Sequence, residues 1–229
     1  MAESDCLLCQ LSVKAKPGLA PILCDHCHLR LPVIRSACPV CALPLAAGNR
    51  LACGDCLKNT PPFTRTTVAF HYEPPISDFI GQLKFNGRRQ LLPLLSDYLL
   101  TRIKVDYAND NLPQQLIAVP LHKTKMRQRG FNQAQLLCRR LAKSLSISQY
   151  REIATRQRNT VTQVSLDAVA RQRNLKGAFR INGTVASHVA IIDDVMTTGT
   201  TVTELARELV AAGAQRIDIW CVARAFHIA

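Results

Sequence analysis

Residues 189–201 read Val-Ala-Ile-Ile-Asp-Asp-Val-Met-Thr-Thr-Gly-Thr-Thr, and this segment is the most informative part of the sequence for the fold. Its apolar start predicts a strand over residues 189–192, and a helix is predicted to begin near Thr200. Backbone amides and hydroxyl groups ahead of a helix N-terminus form a site for a phosphate dianion, and Gly199 permits close backbone approach. Asp193 and Asp194, at the carboxyl end of the strand, can accept hydrogen bonds from sugar hydroxyls or help to hold Mg²⁺. The residues of this predicted phosphate loop are Thr197, Thr198, Gly199, Thr200 and Thr201.

Strand and helix patterns alternate along the chain on the amino-terminal side of this loop and continue after it. The predicted strands are residues 67–72, 116–120, 189–192 and 216–222, and the predicted helices are residues 76–85, 91–103, 131–145 and about 200–212. Alternation of this kind is typical of βαβ units around a parallel sheet. The sequence therefore predicts an α/β fold with a parallel sheet flanked by helices.

Composition and length favour a soluble, unsecreted protein with one ordinary domain and a small appended module. The chain has 229 residues, of which 48% are apolar. It has no apolar run of the roughly 18 to 20 residues that a membrane helix needs, and Glu3 and Asp5 stand where a signal peptide would be basic. Two prolines in Lys58-Asn59-Thr60-Pro61-Pro62 predict a linker. We therefore expect domains at residues 1–62 and 63–229, and no membrane insertion.

Eight of the ten cysteines lie in the first 56 residues as four C-x-x-C pairs. Each pair can present two thiolates to one ion, so the set suffices for two closed tetrahedral zinc sites, and the pattern predicts one or two structural zinc ions. Which pairs share an ion stays open, and loss of a ligand is expected to loosen only residues 1 to about 60. Cys138 and Cys221 are predicted to be buried apolar residues. The predicted ligands are Cys6, Cys9, Cys24, Cys27, Cys38, Cys41, Cys53 and Cys56.

The positive charge of the chain is concentrated in one quarter of its length. The net charge is +13, and residues 123–180 contain fourteen lysines and arginines against two acidic residues. Such a stretch attracts polyanions, either a phosphorylated metabolite or the backbone of nucleic acid. Aromatic residues make up only 5% of the chain, which predicts contacts to phosphates rather than stacking on bases. The candidates for a nucleic-acid surface are Arg139, Arg140, Lys143, Arg151, Arg156 and Arg173.

At residues 189–201 the sequence resembles the type I phosphoribosyltransferases. The resemblance implies that residues 197–201 hold the 5-phosphate of phosphoribosyl pyrophosphate, and that Asp193 and Asp194 contact the ribose hydroxyls with Mg²⁺. Several purine-salvage members have a third acid where this chain has Thr197. Asp194→Asn is expected to weaken ligand binding at least tenfold, about 1.4 kcal/mol, with thermal stability nearly unchanged. The resemblance assigns a pyrophosphate loop and hood to Pro120, Leu121, His122, Lys123, Arg127, Arg129 and Arg158.

Further segments resemble the ComF/GntX family, which joins a zinc module to a phosphoribosyltransferase-like domain. The segments are Leu83-Lys84-Phe85 with Gly87, residues 127–134 (Arg-Gln-Arg-Gly-Phe-Asn-Gln-Ala), and Arg158 with Thr160, Gln163, Leu166, Arg171, Asn174 and Phe179. The resemblance implies cytoplasmic action in uptake or use of external DNA, with single-stranded DNA and the DNA-uptake machinery as partners. Residues 158–179 would form a mobile hood over the site.

Two functions remain open at this point. The chain is either a module that binds phosphoribosyl pyrophosphate and single-stranded DNA, or an active phosphoribosyltransferase that displaces pyrophosphate with an acceptor the sequence does not identify. No catalytic residue and no oligomeric state can be assigned from the sequence, and a homodimer is one of the alternatives.

Overall fold

The structure, a computed structural model, describes residues 3–14, 23–46, 51–147, 149–150, 153–158 and 177–226. Most of the predicted hood, residues 159–176, lies outside these ranges. In chain order the elements are β1 Glu3–Asp5, β2 Ser12–Lys14, α1 Asp25–Leu29, α2 Gly54–Lys58, β3 Arg65–His71, α3 Ile76–Asn86, α4 Leu91–Asp106, β4 Gln115–Ala118, α5 Lys123–Arg129, α6 Gln133–Ser144, β5 Gln149–Tyr150, β6 Ala154–Arg156, β7 Phe179–Ile181, β8 His188–Met196, α7 Thr200–Ala211 and β9 Arg216–Arg224.

A five-stranded sheet in the order β3-β9-β8-β4-β5 forms the centre of the molecule, and every neighbouring pair in it is parallel. Its central strands are apolar on both faces because helices cover both sides. One buried layer packs α3, α4 and α6 against the sheet, and the other includes α7. The paired strands β6 and β7 lie beside the latter layer.

All carboxyl ends of the sheet strands face one edge because the strands are parallel. Ala118, at the end of β4, is in register with Ile192 of β8, and Met196 at the end of β8 is in register with Arg224 of β9. The segments that follow β4, β8 and β9 therefore meet at this edge. Ligands of open parallel sheets bind there.

The cysteine-rich segment packs directly on the sheet. Val33 bridges to Phe70 of β3, and the Thr66 amide donates to the Pro39 carbonyl at 3.1 Å. Cys6 and Cys27 belong to the same buried cluster as α3 and α4, whereas Cys38 and Cys41 belong to the cluster on the α7 side. The segment is thus continuous with both cores, and the domain division at residue 62 stays a prediction.

The predicted fold class is confirmed: a parallel sheet flanked by helices, with a small cysteine-rich module at the N-terminus. Each of the four predicted strands and four predicted helices is present, with ends shifted by a few residues. The strand predicted over residues 116–120 ends at Ala118, since the chain turns there into the segment before α5. Within the described ranges, no helix has the length and hydropathy needed to cross a bilayer.

Candidate functional site

The two carboxylates at the end of β8 have different surroundings. Asp194 is only 3% exposed, and its Oδ2 atom lies 2.7 Å from Nζ of Lys84 on α3. Its Oδ1 atom accepts from the Val195 amide at 2.9 Å. Asp193 is partly accessible, and its Oδ1 atom accepts from the Asp194 amide at 2.9 Å. Asp193 is therefore the carboxylate that can meet a ligand directly.

Protonation distinguishes the pair further. Desolvation, and then the negative charge of Asp194, raise the pKa of Asp193 to about 8. Burial opposes the charge of Lys84, but the Asp194 carboxylate outweighs it and raises the pKa of Lys84. The contact with Asp194 thus favours the charged form of Lys84, whereas burial and the neighbouring carboxylate favour the neutral form of Asp193.

The phosphate loop lies directly beyond these carboxylates. Gly199 has φ of 79° and caps the amino end of α7, where helix amides have no acceptor within the helix. Thr197 and Thr198 are exposed, and the Thr198 and Thr200 hydroxyl oxygens are 2.8 Å apart. The loop therefore presents hydroxyl groups around a helix N-terminus, as the sequence predicts.

The segment after β4 forms the opposite wall. Pro120 and Leu121 line a cavity of about 150 Å³ together with Lys123 and Arg156. His122 caps α5, and its Nδ1 atom accepts from the Thr124 amide at 3.3 Å. This wall is held in place by α6, whose capping residue Asn132 donates from Nδ2 to the Val119 carbonyl at 2.9 Å.

Four cationic side chains lie near one another at this edge, and we call them the cationic group. Lys84 and Arg156 interact with the carboxylates, and Lys125 and Arg129 lie beside those two cations. Burial lowers the pKa of Lys125, and the charges of Arg156, Arg129 and Lys84 lower it further. Burial also lowers the pKa of Arg156, which the Asp193 carboxylate partly offsets. The cations outnumber the two carboxylates, so this edge of the sheet is complementary to an anion.

The structure changes the role of several basic residues. Arg156 was assigned to a nucleic-acid surface by sequence, but it lines the cavity beside Asp193. Arg140 is partly neutralised by Asp97 of α4 at 2.9 Å. Of the predicted pyrophosphate and hood residues, Lys123, Arg127 and Arg158 are exposed, and Arg129 donates to Gln133 Oε1 at 2.7 Å. Arg151 and Arg173 lie outside the described residues.

Lys84 is the site residue whose role the sequence did not reveal. It occurs in the Leu83-Lys84-Phe85 segment of the family resemblance, but nothing local to α3 indicates a partner more than one hundred residues away. One signal was available: a lysine beside Leu83, on the buried face of an amphipathic helix, needs an anionic partner.

The eight paired cysteines form two clusters of four. The first cluster is Cys6, Cys9, Cys24 and Cys27, and the second cluster is Cys38, Cys41, Cys53 and Cys56. In each cluster the sulfur atoms lie within 4.8 Å of one another, compared with about 3.8 Å between thiolates around tetrahedral zinc. The first C-x-x-C pair therefore joins the second, and the third joins the fourth.

Both clusters repeat the same local geometry. In each, a backbone amide donates to the first cysteine at 3.3 Å: Cys24 to Cys6 Sγ, and Cys53 to Cys38 Sγ. Burial opposes ionisation of Cys6, but the amides of Cys9 and Cys24 outweigh it and lower its pKa to about 6. Burial and the neighbouring sulfurs raise the pKa of Cys27 to about 12. Four sulfur atoms this close together could hold a metal ion, and zinc, which takes four cysteine ligands in a tetrahedron, fits this donor set.

Cys138 and Cys221 are buried, as predicted, and burial raises the pKa of both thiols. His26 and His28 belong to neither cluster. His28 instead pairs its Nδ1 atom with the Tyr98 hydroxyl at 2.5 Å, which attaches α1 to α4.

Curated relatives match most of the chain. A protein named DNA utilization protein YhgH from Escherichia coli K12 is 40% identical over 207 residues, covering 88% of this chain and 90% of the relative. Competence protein F from Haemophilus influenzae is 33% identical over 228 residues, covering 96% of this chain and 90% of the relative. The chain belongs to the ComF/GntX family.

Two further proteins are similar to this ComF/GntX protein at lower sequence identity. Competence protein ComFC from Streptococcus pneumoniae is 22% identical and covers 96% of this chain and 99% of its own length. A purine phosphoribosyltransferase structure from Pyrococcus horikoshii covers 57% of this chain and 70% of its own, with 18% identity and a TM-score of 0.35. No family model matches the sequence.

Proposed function

We propose that this protein binds phosphoribosyl pyrophosphate at the carboxyl edge of its sheet and acts in the uptake or use of external DNA. One observation carries the proposal: a hydroxyl-rich loop at a helix N-terminus, an accessible carboxylate and the cationic group all meet at this edge. The loop would bind the 5-phosphate, Asp193 the ribose hydroxyls, and the segment from Pro120 to Lys123 the pyrophosphate. Arg127, Arg129 and Arg158 would add positive charge around it.

Magnesium fits the donor set of this site. Mg²⁺ prefers carboxylate and phosphate oxygens and keeps several waters, and Asp193 offers a carboxylate beside the proposed diphosphate. Because the pKa of Asp193 is about 8, the ion must displace a proton to use both of its oxygens. The bound ion would neutralise part of the diphosphate charge.

The biological role is proposed from relatives named DNA utilization protein YhgH and Competence protein F. We place the protein in the cytoplasm, with single-stranded DNA and a component of the DNA-uptake machinery as partners. The arrangement in domains at 1–62 and 63–229, and a homodimer as the working assembly, belong to the same proposal.

An exposed aromatic side chain supports the single-strand partner and adds stacking to the phosphate contacts that the low aromatic content of the sequence predicts. Phe85, at the carboxyl end of α3, is 78% exposed. The Arg129 guanidinium lies 5.4 Å from its ring centre, and Arg89 lies 4.7 Å from that of Phe131. Aromatic rings beside arginines bind unpaired bases by stacking, at about 1–3 kcal/mol per base. The single strand would therefore run past the mouth of the phosphate site.

Calorimetry with phosphoribosyl pyrophosphate and Mg²⁺ tests the small-ligand site. Asp193→Asn should raise the Kd at least tenfold, about 1.4 kcal/mol, whereas Asp97→Asn on the surface of α4 should not change it. Wild-type affinity should rise from pH 6 to about pH 8 and then level off, because Asp193 must lose its proton. Unchanged affinity in Asp193→Asn would remove the site assignment.

Fluorescence titration with an unstructured oligonucleotide tests the DNA surface. Phe85→Ala should weaken binding about fivefold or more and Phe85→Trp should preserve it, since stacking needs a ring. Val105→Ala is the matched control, because Val105 is 64% exposed on α4, near the opposite edge of the sheet. Affinity should fall by about 0.7 decade per decade of salt for each phosphate contacted. Equal affinities for Phe85→Ala and Val105→Ala would exclude the stacking surface.

A second candidate function is transfer of the phosphoribosyl group to a small acceptor. The cavity of about 150 Å³ between α5 and β6 favours it, because it adjoins Asp193 through Arg156 and has room for a small planar molecule. Pyrophosphate release that depends on an added nucleobase or nucleotide would establish turnover.

A further inference from the structure

Arg224 connects the second cysteine cluster to the phosphate loop. It is the last residue of β9, and it is only 4% exposed. Its Nε atom donates to the Cys41 carbonyl at 2.9 Å, and its Nη1 atom donates to the Met196 carbonyl at 3.0 Å. Nη1 also contacts the carbonyls of Thr197 and Ala225. One guanidinium thus holds both a metal-ligand turn and the entrance of the phosphate loop.

The second cysteine cluster lies beside the buried charge of Arg224. Among the described residues no carboxylate forms an ion pair with it, although a buried cation ordinarily requires one. Four thiolates around one divalent ion carry a formal charge of about −2, so a metal-loaded second cluster supplies the missing anion.

The loop end of this connection is closely packed. Met196 is buried at the end of β8, and its Cε atom lies 2.7 Å from the position of a Cβ on Gly199. A shift of Met196 therefore changes the space under Gly199 and the start of α7. Arg224 holds the Met196 carbonyl, so a movement of Arg224 would also move the start of the phosphate loop.

We propose that Arg224 is a positioning residue that makes the conformation of the phosphate loop depend on a metal ion in the second cysteine cluster. With the ion bound, the Cys41 turn and Arg224 hold the carbonyls of Met196 and Thr197, and the loop is ready for an anion. Without it, the Cys41 turn loses the ion that fixes it, the Cys41 carbonyl no longer holds the Arg224 guanidinium in place, and the carbonyls of Met196 and Thr197 lose their anchor.

The first cluster provides an internal control. It has the same four-cysteine set and the same amide-to-sulfur hydrogen bond, but its described side-chain hydrogen bonds lead to α4, through His28 and Tyr98, and not to the phosphate loop. Cys24 and Cys53 occupy equivalent positions, each capping the first turn of a five-residue helix. Cys24→Ser and Cys53→Ser are therefore matched variants that each remove one ligand.

Hydrogen exchange of the full-length protein, combined with its metal content, tests the connection. Cys53→Ser should lose one metal ion, and the amide hydrogens of residues 196–203 should exchange at least about tenfold faster than in the wild type. Cys24→Ser should also lose one metal ion, but the exchange rate of these amides should not change. Arg224→Lys should keep both ions and still show fast loop exchange, because a lysine cannot reach the carbonyls of Cys41 and Met196 together. Equal loop exchange in the two cysteine variants, or wild-type loop exchange in metal-loaded Arg224→Lys, would overturn the proposal.

A binding measurement adds a second readout, which rests on the proposed function. The affinity for ribose 5-phosphate should fall about fivefold or more in Cys53→Ser and stay unchanged in Cys24→Ser. If ribose 5-phosphate binds none of the proteins, the proposed function fails while the exchange result still decides the role of Arg224. If Cys53→Ser does not fold, Cys53→His replaces it as a variant that keeps a metal ligand at this position. Arg224→Lys then tests the connection without changing any cysteine of the cluster.

Discussion

Lys84 and Asp194 show how strongly one buried ion pair can constrain the site. The Asp194 side chain is 4% exposed, so Lys84→Met would leave a carboxylate without its cation in a dry environment. Breaking such a pair costs about 3–5 kcal/mol of folding free energy, more than the pair itself contributes. We expect a loss of that size in urea unfolding of Lys84→Met.

The double variant Lys84→Met/Asp194→Asn is the control, and it should recover a large part of the loss because both charges are gone. The sequence alone predicts that Asp194→Asn leaves stability nearly unchanged. The ion pair reverses that expectation, since the single change strands the Lys84 charge. A loss in the double variant that equals the sum of the losses in Lys84→Met and Asp194→Asn would show that the two groups do not interact.

At the scale of elements, the strand–loop–helix unit at the phosphate loop depends on the backbone of Gly199. Its φ of 79° disfavours a side chain, and a Cβ there would meet the Met196 side chain at 2.7 Å. Gly199→Ala should therefore cost more than the roughly 1–2 kcal/mol of left-handed strain alone, and it should weaken phosphate binding. Denaturant unfolding and calorimetry measure the two effects.

Gly87→Ala is the matched variant for this prediction. Gly87 has φ of 64° after α3, and a Cβ would meet nothing within 4 Å, so only the backbone strain applies. The difference between the two variants reports the contact with Met196. Equal losses of stability in Gly199→Ala and Gly87→Ala would mean that the Met196 side chain moves aside without cost. The close packing of Met196 against Gly199 would then not contribute to stability.

The elements that sequence patterns predicted are those whose burial repeats regularly. The apolar run of β8 and the amphipathic face of α6 mark a strand and a helix because the sheet buries them. The helix α5 was not predicted, since its seven residues are mostly polar and none is buried. It forms because His122 and Gly130 cap its two ends.

Local sequence patterns also indicate which residues belong to the site, but not which residues they contact. Residue type and spacing indicate the chemistry of the two carboxylates, the threonine loop and the paired cysteines. The contacts of Lys84 with Asp194 and of Arg224 with Cys41 join residues 110 and 183 positions apart, and only the completed sheet brings them together. Arg156 was likewise assigned to the surface, because its burial beside Asp193 depends on the pairing of β6 with β7.

At the scale of the whole molecule, the cysteine clusters are attached to both sides of the sheet. Cys6 and Cys27 lie in the buried cluster on the α4 side, and Cys38 and Cys41 lie in the one on the α7 side. Two backbone hydrogen bonds join the segment between the clusters to β3, Ile34 to Ala69 and His71 to Pro32, and a third joins Thr66 to Pro39 within the second cluster. Loss of metal therefore removes support from an edge strand of the sheet.

We accordingly expect metal removal to destabilise more than the first 60 residues, in contrast to the expectation from sequence. A strong chelator should lower the Tm of the full chain and speed amide exchange in β3, residues 65–71, because that strand loses the neighbour covering its outer edge. The central strand β8 should keep slow exchange, since β4 and β9 pair with it on either side. Cys138→Ala is the control, because Cys138 is buried in α6 outside both clusters and should not change the metal content. Chelated protein with native exchange in β3 and fast exchange confined to residues 1–62 would instead support an independent module, whose contacts with the sheet contribute little to stability.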